Sequence, residues 1–211
     1  MPELLLATRN LAKAREYSLP LQGIPYHIVT LSDVGIDLEV AETGQTMEEN
    51  ATIKATAYAA ASGLTALADD SGLEVDALGG EPGPLSARYA GEGASDRERV
   101  DFLLAKLEHV PWERRSARFR CVIAIATPQG DVELCQGECH GIITLEPKGE
   151  GGFGYDPVFF LPERRQTMAE LSKEEKNEIS HRGRAARKAR QILERRSGAA
   201  GRPQAKGERR Q

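Results

Sequence analysis

Two adjacent acids, Asp69 and Asp70, follow the short apolar run 65–68 and precede Ser71 and Gly72. Carboxylates are costly to bury without partners. At the carboxyl end of a strand in an open α/β sheet they face the ligand crevice. With no neighbouring His or Cys, such oxygen donors suit Mg2+ or Mn2+. The same stretch also reads as an Asx-type turn with a helix cap. A second stretch, Thr8-Arg9-Asn10-Leu11-Ala12-Lys13, follows an apolar strand and opens a helix. Backbone N–H groups at a helix start bind anions, and Lys13 adds a charge one turn in. It is not a Walker loop, because the Gly-x4-Gly-Lys spacing is absent. Taken alone it is equally an ordinary strand–helix turn. Glu42 lies in an acidic loop ahead of a capped helix, and Lys54 lies on that helix among alanines, where it can simply snorkel. The dense loop Gly151-Gly152-Phe153-Gly154-Tyr155-Asp156-Pro157 offers an aromatic ring between glycines, suited to a planar base, and Asp156 for a sugar or a cation. It also reads as a rigid hairpin corner. Lys176 and Ser180-His181-Arg182-Gly183 add two cations and an imidazole near the last helix. Lysines for phosphates, acids for a metal and an aromatic for a base together suggest a purine triphosphate site.

The elements that must position these residues alternate between strand and helix patterns, as in an α/β fold. The runs 4–7, 26–31 and 65–68 read as strands. Residues 32–44 read as acidic and irregular. Three Ser/Thr-x-x-Glu capping boxes, at Thr46, Ser95 and Ser172, each open a helix, the first ending at Gly63 and the second near Leu107. Residues 78–84 read as a Gly/Pro loop. Strands are expected over 118–126, 132–139 and 158–161, with a short extra one at 142–145, and a last helix over 182–196.

Composition narrows the function classes. The 211 residues are 40% hydrophobic and 28% charged, ordinary for a globular chain, and only 5% are aromatic, so the core should be aliphatic and alanine-rich. No apolar run approaches the ~20 residues of a membrane span. The three cysteines, Cys121, Cys135 and Cys139, show no CxxC spacing, so neither a disulfide framework nor a zinc site is indicated, and the cytoplasm is the expected compartment. The net charge of −4 divides unevenly: residues 182–211 carry +9 and residues 1–181 carry −13. An acidic body argues against a stable nucleic-acid partner. Residues 197–211 have no apolar anchor and read as a disordered basic tail after a single domain over 1–196.

With these stretches in hand, the chain resembles the inosine triphosphate pyrophosphatase family, also called Ham1-like, in its bacterial branch. The resemblance rests on Ala7-Thr8-Arg9-Asn10 with Lys13, Glu42-Thr43-Gly44, Glu49-Asn50-Ala51 with Lys54-Ala55, and Ala68-Asp69-Asp70-Ser71-Gly72-Leu73. It continues through Leu78-Gly79-Gly80, Ser86-Ala87-Arg88-Tyr89, the 151–157 loop, Glu170-Leu171 and Ser180-His181-Arg182-Gly183. It implies a two-lobed α/β fold, a long twisted mixed sheet flanked by helices, with the substrate cleft between the lobes. It also implies a homodimer, dependence on Mg2+, and hydrolysis of ITP, dITP or XTP to the monophosphate and pyrophosphate.

Residue by residue, the resemblance makes Asp70 the catalytic acid and Glu42 and Asp70 the metal carboxylates, with Asp69 a helper. Thr8, Arg9, Asn10, Leu11, Ala12, Lys13, Lys54 and Ser71 would contact substrate. So would Phe153, Gly154, Tyr155, Asp156, Lys176, His181 and Arg182. Arg9 departs from the family pattern, since many relatives carry glycine there. Arg182 can only donate, which suits a 6-oxo purine and disfavours adenine. Two rivals stand beside this reading. One is a Maf-like nucleotide pyrophosphatase, against which the Phe153 loop and His181-Arg182 argue. The other is a nucleotide-sensing module without hydrolysis, against which the acid pair argues.

Overall fold

The computed structural model describes residues 1–200. Strand β1 (Glu3–Leu6) leads through the Asn10 cap into α1 (Leu11–Ser18) and back to β2 (His27–Thr30). Helix α2 (Met47–Ser62) opens with the Thr46/Glu49 capping box and stops at Gly63 in the left-handed conformation. Three long strands follow: β3 (Thr65–Val75), then, after α3 (Asp96–Lys106), β4 (Ser116–Ala126) and β5 (Val132–Ile143). Short strands β6 (Phe159–Leu161) and β7 (Gln166–Thr167) precede α4 (Lys173–Ile179) and α5 (His181–Ala200). All three expected capping boxes form.

The seven strands make one mixed sheet in the order β2-β1-β3-β4-β5-β6-β7. β1 runs parallel to both β2 and β3, and every later pair is antiparallel. The β3–β4–β5 ribbon is long enough to serve two lobes. At one end, Leu4, Leu67, Ile123 and Ile125 pack under α1 and α5, where Ala185, Ala186, Ala189 and Leu193 supply the inward face. The other sheet face there packs Leu5, Ala66, Ala68 and Val122 against Ala51, Ala55 and Ala59 of α2. Small alanines let the helix approach closely, consistent with the low aromatic content. At the far end, Leu73, Val75, Phe119 and Phe159 join Val100 and Leu103 of α3 in a separate core.

Four expectations change. The acid pair does not end its strand: β3 continues to Val75 because it stays paired with β4 throughout, including Asp69↔Ile123 and Asp70↔Val122. What ends is the parallel pairing, since β1 meets β3 only up to Leu6↔Leu67. The crevice at a strand's carboxyl end therefore belongs to β1, with β3 extending beneath it. Residues 142–145 form no separate strand; β5 absorbs Ile142 and Ile143, which pair with β6. The 78–84 loop is bounded by two 3-10 turns, Asp76–Leu78 before it and Gly83–Arg88 at its end. Finally, α5 begins at His181 and runs to Ala200, past the expected end at 196 and into the expected tail. The rest of that tail, 201–211, lies outside the described residues.

Candidate active site

A cleft of about 370 Å3 lies between the lobes. Its floor is β3, where Gly72 is required by close approach: a Cβ there would sit 2.1 Å from the Gly83 carbonyl oxygen. The period of two in a strand sends Asp69 and Asp70 to opposite faces. Asp70 lines the cleft. Its Oδ2 accepts from Asn50 Nδ2 (3.1 Å), its Oδ1 accepts from the Ser71 N–H (3.0 Å), and Lys54 Nζ stands 3.9 Å away. Lys54 donates to Glu42 Oε1 at 2.5 Å, which places one ammonium between two carboxylates. Burial and the neighbouring Glu42 charge push the Asp70 carboxyl above its usual range, with Lys54 opposing them.

Asp69 turns away, beneath α1 and α5. Its Oδ2 accepts from Lys13 Nζ (2.9 Å) and Ser71 Oγ (3.2 Å), and Arg182 Nε lies 3.8 Å off. Burial would raise this carboxyl, yet Lys13, Arg182 and Lys54 outweigh it and hold it well below the carboxylate range.

The opposite wall carries the glycine-dense loop. Gly152 has φ +74°, and a Cβ there would collide with the Asp156 carboxylate. That carboxylate accepts the Phe153 N–H (2.8 Å) and the Lys176 ammonium (2.5 Å). Lys176 and Arg182 flank the Phe153 ring, 4.9 and 5.4 Å from its centroid. His181 stacks on Phe119 at 4.7 Å and 16°. Burial and the adjacent Arg182 and Lys176 push its pKa well below the usual value, so the ring is neutral at pH 7. Arg182 pairs with Glu16 and donates to Ser71 Oγ (2.7 Å). Among the described residues, two buried side-chain polar atoms lack a hydrogen-bond partner: His181 Nδ1 and Arg182 Nε. Both residues line the cleft. An unpaired buried polar group costs roughly 1–3 kcal/mol, and Arg182 Nε stands 3.8 Å from the Asp69 carboxylate.

Of the phosphate turn, Asn10, Ala12 and Lys13 line the cleft, while Thr8, Arg9 and Leu11 do not. Arg9 points away to Asp37 (2.9 Å) and the Leu38 carbonyl (3.1 Å), and Leu11 is 73% exposed. The N–H groups of Ala12 and Lys13, expected to face an anion, are already bound by Asn10 Oδ1 at 2.9 and 3.2 Å. Glu42, Ser71, Phe153, Gly154, Tyr155, Asp156 and Lys176 also come together in the cleft, with Lys54 joined to it through Glu42.

Sequence reasoning assigned no role to Asn50 or Glu16. Asn50 stands four residues before Lys54 on α2, and Glu16 three after Lys13 on α1, spacings that share a helix face. That spacing was the available signal. Glu16 Oε1 receives Lys176 Nζ at 2.6 Å and its other oxygen takes Arg182, so it anchors both cations behind the Phe153 ring.

A mixed-sheet α/β protein with an interlobe cleft, carboxylates on one wall and an aromatic ring backed by cations on the other, defines a class that binds an anionic ligand with a planar head. The chain belongs to the Ham1 family, whose model matches residues 4–192. It is similar to a dITP/XTP pyrophosphatase of Geobacter sulfurreducens, 54% identical over 88% of this chain and 93% of the relative. Among solved structures it is similar to a HAM1 protein from Coxiella burnetii (42% identity, TM-score 0.85, covering 92% of this chain and 98% of that one). The Staphylococcus aureus Ham1 protein is comparable, at 43% identity and TM-score 0.83, covering 92% and 99%.

Proposed function

We propose that this chain hydrolyses the non-canonical purine nucleoside triphosphates ITP, dITP and XTP to the monophosphate and pyrophosphate. The observation that carries the reading is the cleft itself, which brings Glu42, Asp70, Lys13, the Phe153 ring and the His181-Arg182 pair together. The name of the Geobacter sulfurreducens relative supports it.

In this reading Phe153 stacks on the purine, and the donor-only Arg182 selects a 6-oxo group over the amino group of adenine. Lys13 and Lys54 receive the phosphate charge, each leaving a carboxylate partner it holds in the free protein. Asp70, held by Asn50 with its pKa raised by burial, takes a proton from water attacking the α-phosphorus. Glu42 and Asp70 are the residues that would hold Mg2+. The fit is chemical: they are hard oxygen donors already gathered around one cation, Lys54. Among the described residues no cluster of three or more His, Cys, Asp or Glu could form a full cage. One or two carboxylates, with substrate phosphates completing the shell, is the usual Mg2+ arrangement. Bound there, Mg2+ supplies charge neutralisation to the triphosphate and the leaving pyrophosphate.

Pyrophosphate release from a panel of triphosphates tests the reading. ITP, dITP and XTP should react far faster than ATP, EDTA should abolish turnover, Mg2+ should restore it and Mn2+ should do so in part. Equal rates on all purines, or full activity in EDTA, would overturn it. A homodimer and a cytoplasmic location belong to the same proposal; light scattering checks the first. No helix among the described residues is long and apolar enough to cross a membrane.

A further inference from the structure

The nucleoside loop 151–157 is glycine-dense, so its shape depends on what ties it down. Two ties are internal, from the Phe153 N–H to the Asp156 carboxylate and from the Asp156 N–H to the Phe153 carbonyl (3.3 Å). Others reach outside the loop: Gly151 N–H to the Ala169 carbonyl (3.0 Å), Tyr155 O–H to the Ser86 carbonyl (2.9 Å), and Gly154 N–H to Asp96 Oδ2 (2.7 Å). The last comes from a charged side chain 58 residues away. Asp96 is the first residue of α3, and its other oxygen pairs with Arg99 one turn on. Arg99 is itself fixed, donating to the carbonyls of Ala94 (2.5 Å) and Ala87 (2.9 Å). Asp96 and Arg99 thus join Ala87 and Ala94 to the loop, and Ala87, Asp96 and Arg99 all line the cleft.

We propose that Asp96, oriented by Arg99, is a positioning residue for the purine half of the substrate. It holds the Gly154 peptide, and through it the placement of the neighbouring Phe153 ring over the cleft. Gly154 has φ +63°, so its peptide has other conformations open to it once the Asp96 bond is lost. A freed loop must be ordered again on every binding event, a cost that falls on affinity for whatever Phe153 touches. The phosphate half, held by Lys13 and Lys54 on α1 and α2, does not share this tie. The inference rests on the nucleotide reading above. An acid at a helix start also interacts favourably with the helix dipole. That role alone would alter stability and leave the relative affinity for two different ligands untouched.

The test compares wild type, Asp96→Ala and Asp96→Asn by calorimetric titration with inosine monophosphate and, separately, with pyrophosphate, in the presence of Mg2+. KM and kcat for ITP are measured alongside. In Asp96→Ala the affinity for inosine monophosphate should fall about tenfold, the scale of one charge-assisted, half-exposed hydrogen bond. KM should rise in step, with kcat and pyrophosphate affinity holding. Asp96→Asn, whose side-chain oxygen can still accept the Gly154 N–H, should fall between the two. If the Ala variant does not fold, the Asn variant against wild type makes the same comparison. Equal losses for both ligands, or none for inosine monophosphate, would overturn the role of Asp96 and leave the nucleotide reading standing. A wild-type protein that binds neither ligand would overturn both.

Discussion

Asp69 and Asp70 are chain neighbours on one strand, equally buried, and opposite in the direction their pKa values move. The Asp69 carboxylate is held off the cleft. Lys13, Arg182 and Ser71 gather on its carboxylate, Tyr17 and Cys121 pack behind it, and burial pushes the Cys121 thiol up to about 12. The Asp70 side opens on the cleft, with one amide, one backbone N–H and a shared, distant ammonium. The first carboxyl is pulled down by surplus positive charge and the second is pushed up by burial and the nearby Glu42. A carboxylate whose charge is over-compensated makes a poor proton acceptor and a good structural anchor. One held above its usual range is the better proton acceptor of the two. The difference teaches that a pair of acids in a motif can divide into an anchor and a reactive group through strand geometry alone.

The sharpest way to break this comparison is to neutralise each acid in turn. Asp69→Asn leaves Lys13 and Arg182 facing an amide, and breaking a buried pair costs about 3–5 kcal/mol. Denaturant unfolding should therefore show a large loss of stability. Asp70→Asn should instead lose at least ~10²-fold in kcat, the scale of general-base contributions, with its unfolding midpoint held or raised. If the two variants show the same profile, the division of labour is wrong.

Arg182 tests the border between the sides, because it leans on Asp69 and Glu16 yet lines the cleft. Arg182→Gln should lower kcat/KM for ITP and narrow the ITP-to-ATP ratio by ~1–3 kcal/mol. A ratio that stays fixed while both fall would leave Arg182 as an anchor only.

The smallest effect is on pH. Because the folded pKa of Asp69 is depressed, its stabilisation is present above the unfolded value of about 3.9 and lost as pH falls through the folded value. The stability gap between wild type and Asp69→Asn should therefore shrink below about pH 4. Asp70 has the opposite sign: its folded pKa is raised, so its contribution is present below the unfolded value and lost as pH rises through the folded one. The gap between wild type and Asp70→Asn, with the variant the more stable, should be widest where Asp70 is ionised and close as pH falls through its raised folded value, so the two gaps carry opposite signs. Melting curves across an acid series of the three proteins would decide this.

Much of this protein was legible in the chain. The capping boxes at Thr46, Ser95 and Ser172 formed as read, because the two reciprocal bonds of such a box are local and need no tertiary context. The apolar run at 4–7 and the alanine-rich 50–61 stretch marked a buried strand and a close-packed helix for the same reason. Blocks such as Asp69-Asp70-Ser71-Gly72 and Ser180-His181-Arg182-Gly183 carried the family resemblance directly. Other features belonged to the tertiary structure alone. Asp69 and Asp70 part company because β3 runs on past the end of β1, a fact of strand pairing that no local pattern encodes. Arg9 leaves the cleft because Asp37, 28 residues away, is within reach. Glu16 acquires its place from Lys176 and Arg182, more than 150 residues further along, and Asp96 from Gly154. Local sequence sets which turn, cap or strand a segment prefers. Long-range pairing sets which charges share a desolvated space, and so decides which acid is the anchor and which can react.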